Sequence, residues 1–144
     1  MSARGQTVKA MAAIRRARDG ALLVSEHAQP ALFHRPLGGH VEFAEYAIDT
    51  LHRELQEEIG QALAEVRLLG VLENIFPWGG GAEHEIVFLY AATLADPAAY
   101  EIEEQRIRDE VGGRTRVIWR APGAVSPPLY PAGVPGLIAA AQWP

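Results

Sequence analysis

The sequence predicts an α/β fold of the α+β kind, a mixed β-sheet covered by helices, and three observations predict it. Most apolar stretches are short and strand-like, one long amphipathic helical pattern interrupts them, and a shorter helical pattern closes the chain. With 144 residues, 49% of them apolar and 22% charged, the chain has the size and composition of one soluble domain over 1–144. A chain of this length buries about two thirds of its unfolded surface.

The elements follow in order. Residues 8–14 (VKAMAAI) are ambiguous: Ala and Met favour helix, but Asp19-Gly20 followed by the apolar run Ala21–Val24 reads as a hairpin turn between two strands. Together these residues predict the hairpin. Residues 31–35 (ALFHR) form a short strand that Pro36 and the pair Gly38-Gly39 should stop. Over 46–59 the residues Ile48, Leu51, Leu55 and Ile59 recur at helical spacing, and Gly60 supplies the stop. Strands are expected at 66–73 and 85–94, separated by a turn-rich loop from Pro77 to Gly81, and again at 115–119. The proline-rich stretch 122–135 reads as a surface connection and 136–142 as the closing helix.

Composition excludes several functions. The chain has no cysteine, which removes disulfide scaffolds, thiol catalysis, iron–sulfur clusters and cysteine-bound zinc, and makes a reducing cytoplasm the expected compartment. Lys9, Arg15, Arg16 and Arg18 interrupt the first apolar stretch, so no signal-peptide core is read there. No apolar run approaches the ~20 residues needed to cross a bilayer, so no membrane partner is expected. There is no basic stripe, which argues against duplex nucleic acid as a partner.

The charge is unevenly placed. The net charge is −5, and residues 39–60 hold six acids (Glu42, Glu45, Asp49, Glu54, Glu57, Glu58) against the one base Arg53, leaving the rest of the chain neutral. On a helix Glu54, Glu57 and Glu58 fall within an arc of roughly 100° beside the apolar stripe, with Glu58 nearest to it and Glu57 farthest. Solvated, such neighbours repel by a few tenths of a kcal/mol per pair, and more when part of the cluster is desolvated. A hard divalent cation reverses that sign, because carboxylate oxygens are the ligands Mg²⁺ prefers. A solvated acidic face accounts for the helix equally well, and Glu45 alone is a good helix start. Both readings stand on these residues.

Spacing decides between them. A glycine, five residues, a glutamate, seven residues, then Arg-Glu-apolar-any-Glu-Glu-any-Gly reads here as Gly39, Glu45, Arg53, Glu54, Leu55, Glu57, Glu58 and Gly60. This resembles the Nudix box of the hydrolases that cleave nucleoside diphosphates linked to another moiety. Seven fixed identities should coincide by chance in fewer than ~1 in 10⁶ chains of this length. The order of elements on both sides is similar to the family's α/β/α sandwich, with a mixed sheet between helices. Three positions depart from the pattern: Gln61 stands where an apolar residue is usual, Ala44 precedes Glu45 where glycine is common, and Leu37 precedes the glycine pair with Pro36 one place earlier.

The resemblance implies a chemistry. Glu54, Glu57 and Glu58, with the Gly38 carbonyl, would hold Mg²⁺, or Mn²⁺ in its place, and Glu54 would be the general base while Arg53 orients its neighbours. Gly39, Glu45 and Gly60 would shape the loop and the helix. The expected reaction releases a nucleoside monophosphate and a second phosphorylated product from a small nucleotide-type substrate. The alternative is a non-catalytic module that senses a nucleotide or metabolite on the same fold. Relatives also suggest a homodimer. A further acidic ligand or base is sought downstream among Glu85, Glu103, Glu104 and Glu110; His84-Glu85 lacks the second histidine of a zinc-protease motif. Arg35 is a candidate for phosphate contact, as are Arg15 and Arg16, and Tyr46, Phe76 and Trp78 for stacking on a base. His40 and His52 read as polar surface residues.

Overall fold

Strand β1 (Thr7–Ile14) carries both halves of the core. Its alternating side chains send Ala10, Ala12 and Ile14 into one apolar cluster and Met11 and Ala13 into another on the opposite face. The computed structural model describes residues 5–108 and 114–144. After β1 come β2 (Leu22–His27), β3 (Phe33–Arg35), β4 (Leu37–His40), α1 (Ala47–Ile59), β5 (Leu63–Trp78), β6 (Gly81–Leu94), a short 3₁₀ helix (Pro97–Glu101), β7 (Glu104–Arg108), β8 (Arg114–Arg120) and α2 (Val134–Ala139). They build two four-stranded sheets, β4-β1-β6-β5 and β3-β2-β8-β7. The first sheet is mixed, since β1 runs parallel to β6 and antiparallel to β4. Helix α1 adds Leu51 and Leu55 to the first cluster and α2 adds Val134 to the second, so a helix covers each face. Full burial of a leucine contributes about 2 kcal/mol relative to exposure.

The expected hairpin of β1 and β2 needs correcting. The tight turn exists, with Gly20 at φ 75° and its N–H donating to the Arg16 carbonyl at 2.7 Å, but among the described residues the strands are joined beyond it by the single bridge Arg15–Leu22. Both edges of β1 are taken by β4 and β6, and both edges of β2 by β3 and β8, so the chain turns from one sheet into the other. The stop expected after residue 35 is likewise a crossing. Pro36 ends β3 in the second sheet, and Gly38-Gly39 pair with Met11 and Ala10 inside β4 of the first. Glycine is required there: a Cβ on Gly38 would overlap the Ala10 carbonyl oxygen and lie 2.8 Å from the Met11 Cα.

Three other boundaries move. Strands β5 and β6 run well past 66–73 and 85–94, pairing down to Trp78–Gly81, and the expected loop shrinks to Gly79-Gly80 with φ 56° and 81°, as a two-residue primed turn demands. The charged stretch around Glu104 is strand β7, paired with β8. The closing helix is α2 over 134–139. Helix α1 matches its predicted span, and Gly60 at φ 68° caps it with its N–H on the Gln56 carbonyl at 2.9 Å. Its stripe is shifted, however: Leu51 and Leu55 are fully buried, whereas Ile48 is 42% exposed.

Candidate active site

The glycine pair and α1 meet side by side, because β4 runs directly into the loop that starts the helix. Gly39 lies against Glu54 so closely that a Cβ there would stand 2.5 and 2.6 Å from the two carboxylate oxygens. Arg53 organises the loop. Its Nε and Nη2 donate to the two oxygens of Glu45, each at 2.9 Å, and Nη2 also reaches the His40 carbonyl at 3.2 Å. Its Nη1 donates to Glu54 Oε1 at 3.0 Å and approaches Glu57 at 3.4 Å. Glu45 further accepts from the Thr50 hydroxyl and the Glu42 N–H. The Arg53 hydrogen bonds first, then that of Thr50, hold the Glu45 carboxyl down at about 2.

The three carboxylates differ as the helix geometry requires. The Glu57 side chain is 59% exposed and that of Glu54 17%. Glu58 is pushed up to about 8, chiefly by burial and then by the charge of Glu54, against the opposing pull of Arg35 and the Gly38 N–H. All three line a cleft of about 280 Å³ together with Gly38, Pro36, Leu37, Arg35, Ser25, His27, Ile107 and Thr115.

Among the described residues no three acidic or imidazole side chains already converge on a point as metal ligands. The donor set nevertheless fits a divalent cation. Three carboxylates, hard oxygen donors of the kind Mg²⁺ prefers, line one cleft together with Gly38.

Of the other candidates, Arg35 lines this cleft. Tyr46 stands at the N-cap position of α1, is 79% exposed and is not among the lining residues, and Trp78 lies at the β5–β6 tip, half exposed and edge-on to Phe76 at 6.4 Å. Glu85 is buried with Lys9 Nζ at 2.6 Å and the Asn74 amide at 3.1 Å; burial raises its carboxyl, but these partners leave it below the usual range. Glu104 pairs with Arg116 at 2.7 Å, and Glu103 with Arg16 and Arg18. Glu110 lies outside the described residues. Arg15 and Arg16 line a separate hollow of about 350 Å³, where Arg15 sits over Trp143. His52 is exposed, and His40 contributes its carbonyl to Arg53.

Sequence reasoning missed Ser25, His27 and Thr115. Its strand ended at Val24, where the apolar run ends, yet β2 continues with Leu23, Ser25 and His27 on one face. The alternation L-x-S-x-H was the available signal.

Fold and site together define a domain in which a glycine pair and a glutamate-rich helix form one wall of a polar cleft. A profile of the NUDIX domain matches residues 5–134, and the chain belongs to the Nudix family. It is similar to the m7GpppN-mRNA hydrolase NUDT17 of Xenopus laevis, with 37% identity over 81 residues, or 52% of this chain and 27% of that protein. The match therefore spans about a quarter of that relative's length. Among solved structures, a MutT NUDIX hydrolase from Burkholderia pseudomallei is similar with a TM-score of 0.71 and 27% identity, covering 96% of this chain and 100% of that one. Two more share the fold. A NUDIX hydrolase from Nitrosomonas europaea has a TM-score of 0.59 and 22% identity over 81% of this chain and 73% of its own. The E. coli ORF135 protein has 0.56 and 24% over 93% and 87%.

Proposed function

We propose that the chain is a Mg²⁺-dependent pyrophosphohydrolase that splits the diphosphate linkage of a nucleoside diphosphate derivative. The products are a nucleoside monophosphate and a second phosphorylated fragment. The observation that carries the reading is the wall of Glu54, Glu57 and Glu58 in one cleft with Gly38 and Arg35.

Glu54, Glu57 and Glu58, with the Gly38 carbonyl, would hold Mg²⁺ or Mn²⁺. A bound ion of this kind neutralises phosphate oxygens and polarises the P–O bond. The chain's own residues supply the remainder. Glu54 accepts the proton of the attacking water, whose oxygen forms the new bond to phosphorus while the bridging P–O bond breaks and its electron pair leaves with the other phosphate. Arg53 keeps the Glu54 carboxylate oriented through its 3.0 Å hydrogen bond, and Glu45 fixes Arg53 in turn. Arg35, which lines the same cleft, binds phosphate oxygens.

The test is a panel of ADP-ribose, dinucleoside polyphosphates, oxidised nucleoside triphosphates, nucleotide sugars and a cap dinucleotide, assayed for monophosphate release with Mg²⁺ and with chelator. The cap analogue is included because of the relative described above. Glu57→Gln should leave thermal unfolding near that of the wild type, since this side chain is mostly exposed, yet abolish Mg²⁺-dependent turnover. Undiminished turnover in that variant would remove Glu57 from the site. Tight nucleotide binding with no cleavage across the panel would establish a sensor instead.

A further inference from the structure

Thr50 is a polar side chain where α1 has least use for one. It has no exposed surface, and it stands next to Leu51 and one turn before Glu54. Threonine favours a helix less than alanine does, and a buried hydroxyl costs free energy unless it is hydrogen-bonded. Packing alone would be served as well by valine, which has the same shape. A threonine within a helix ordinarily gives its proton to the carbonyl four residues back. Here that carbonyl, of Tyr46, stands 3.3 Å from the hydroxyl, whereas Glu45 Oε1 stands at 2.5 Å. A hydroxyl has one proton, and the shorter bond to an ionised acceptor takes it. Thr50 therefore donates out of its helix and into the loop that precedes it.

That bond joins a chain of contacts ending at Glu54. Glu45 Oε1 accepts from Thr50, from Arg53 Nη2 at 2.9 Å and from the N–H of exposed Glu42 at 3.2 Å. Thr50 is the one of these three donor residues that is fully buried, so it is the fixed point against which the Glu45 carboxylate is set. Arg53 Nε takes the other oxygen of Glu45 at 2.9 Å, which fixes the guanidinium plane and leaves Nη1 for Glu54 Oε1 at 3.0 Å. Thr50, Arg53 and Glu54 stand at i, i+3 and i+4, neighbours on one helix surface, and Glu45 closes the circuit among them from the loop.

We propose that Thr50 is a positioning residue for the hydrolysis: its hydroxyl pins the Glu45 carboxylate and, through Arg53, fixes where the Glu54 carboxylate sits in the cleft. This rests on the reading of Glu54 as base and metal ligand given above. Without the hydroxyl the two-pronged Arg53–Glu45 pair persists but swings as a unit, and Nη1 no longer holds Glu54 in one place. Small displacements of a reacting group cost rate steeply, whereas substrate binding elsewhere in the cleft is untouched.

The experiment uses the whole chain with three readouts: kcat and KM in Mg²⁺ on the best substrate of the panel, calorimetric binding of Mn²⁺, and a thermal melt. Thr50→Val keeps the shape and loses the donor; kcat should fall about 5- to 20-fold with KM within about twofold, and Mn²⁺ should bind about fivefold more weakly. Thr50→Ser keeps the donor and loses a buried methyl group, so it should melt below Thr50→Val yet hold kcat and Mn²⁺ affinity within about threefold of the wild type. Activity and melting temperature then rank the two variants in opposite orders, which a packing role does not produce. In a Glu45→Ala background Thr50→Val should cost at most about a further twofold, because the link it acts through is already gone. Thr50→Ala, which also lacks the hydroxyl, takes the place of Thr50→Val if that variant does not fold. Wild-type kcat and Mn²⁺ affinity without the hydroxyl would overturn the proposal, and so would equal losses in Thr50→Val and Thr50→Ser. A wild type that hydrolyses nothing on the panel would sink the hydrolase reading alone, and Mn²⁺ affinity would then decide the role of Thr50: weaker in Thr50→Val than in Thr50→Ser upholds it, equal in both overturns it. A wild type that binds no Mn²⁺ either would overturn both.

Discussion

Replacing Gly39 by alanine should separate catalysis from folding. The new Cβ would stand 2.5 and 2.6 Å from the Glu54 carboxylate oxygens, far inside ordinary contact distance, so one side must yield. The yielding group is the far end of a flexible side chain, and β4 can keep its pairing with β1. Displacing the carboxylate sacrifices the 3.0 Å hydrogen bond from Arg53 Nη1, while the two-pronged Arg53–Glu45 pair persists. For a partly exposed pair this costs about 1 kcal/mol, or a few degrees of melting temperature. The same displacement moves the proposed base and metal ligand, which costs about 10²- to 10⁴-fold in kcat. Initial rates of monophosphate release and a thermal melt read the two scales. Wild-type turnover by Gly39→Ala would show that the position of Glu54 is immaterial. Gly38→Ala is the counterpart: its Cβ meets backbone in β1 rather than a movable carboxylate, so it should melt well below Gly39→Ala, and equal melting temperatures would refute the packing account.

Three further outcomes follow from the geometry. Glu58 is raised to about 8, so the folded metal-free protein favours the protonated acid; the resulting stability is full below the unfolded value of about 4.5 and is lost as pH rises through about 8. Glu58→Gln should therefore melt above the metal-free wild type at pH 9 and beside it near pH 4, and a melting difference that does not change with pH would contradict the shift. Lys9→Ala strands the buried Glu85 carboxylate and should cost about 3 kcal/mol, whereas Lys9→Met with Glu85→Leu should recover much of it; a double variant no more stable than the single would show that the charge is not the cause. Ala44 holds φ 65°, a left-handed conformation that suits glycine, so Ala44→Gly should raise stability by about 0.5 kcal/mol once the added chain entropy is subtracted, and a lower melting temperature would refute the strain.

The legible parts of this molecule were local. Helix α1 could be read from Leu51, Leu55 and Gly60 because its hydrogen bonds and its stop lie within a few residues of one another, and the contrast between half-buried Glu58 and exposed Glu57 followed from the same periodicity. Pairing partners were not legible. Nothing near Glu104 announces that Arg116 will neutralise it across the sheet, and the same strand-to-strand distance in sequence hid β7. Asp19-Gly20 marks the turn locally, but which edges of β1 and β2 are already taken is a property of the assembled sheets. Ser25 and His27 escaped because a strand face that borders a cleft carries polar residues, so its alternation lacks the apolar contrast that marks a core strand.

Pro36 separates Arg35, the last residue of one sheet's β3, from Leu37, the first of the other sheet's β4. The cleft therefore opens along a seam between two independently hydrogen-bonded slabs, one slab supplying the donors and the other, through α1, the acids. A substrate held by Arg35 on one slab and, through a bound cation, by the α1 carboxylates on the other would rivet those slabs together. Its occupancy would then be felt far from the chemistry, as a stiffening of the joint through which the polypeptide passes from slab to slab.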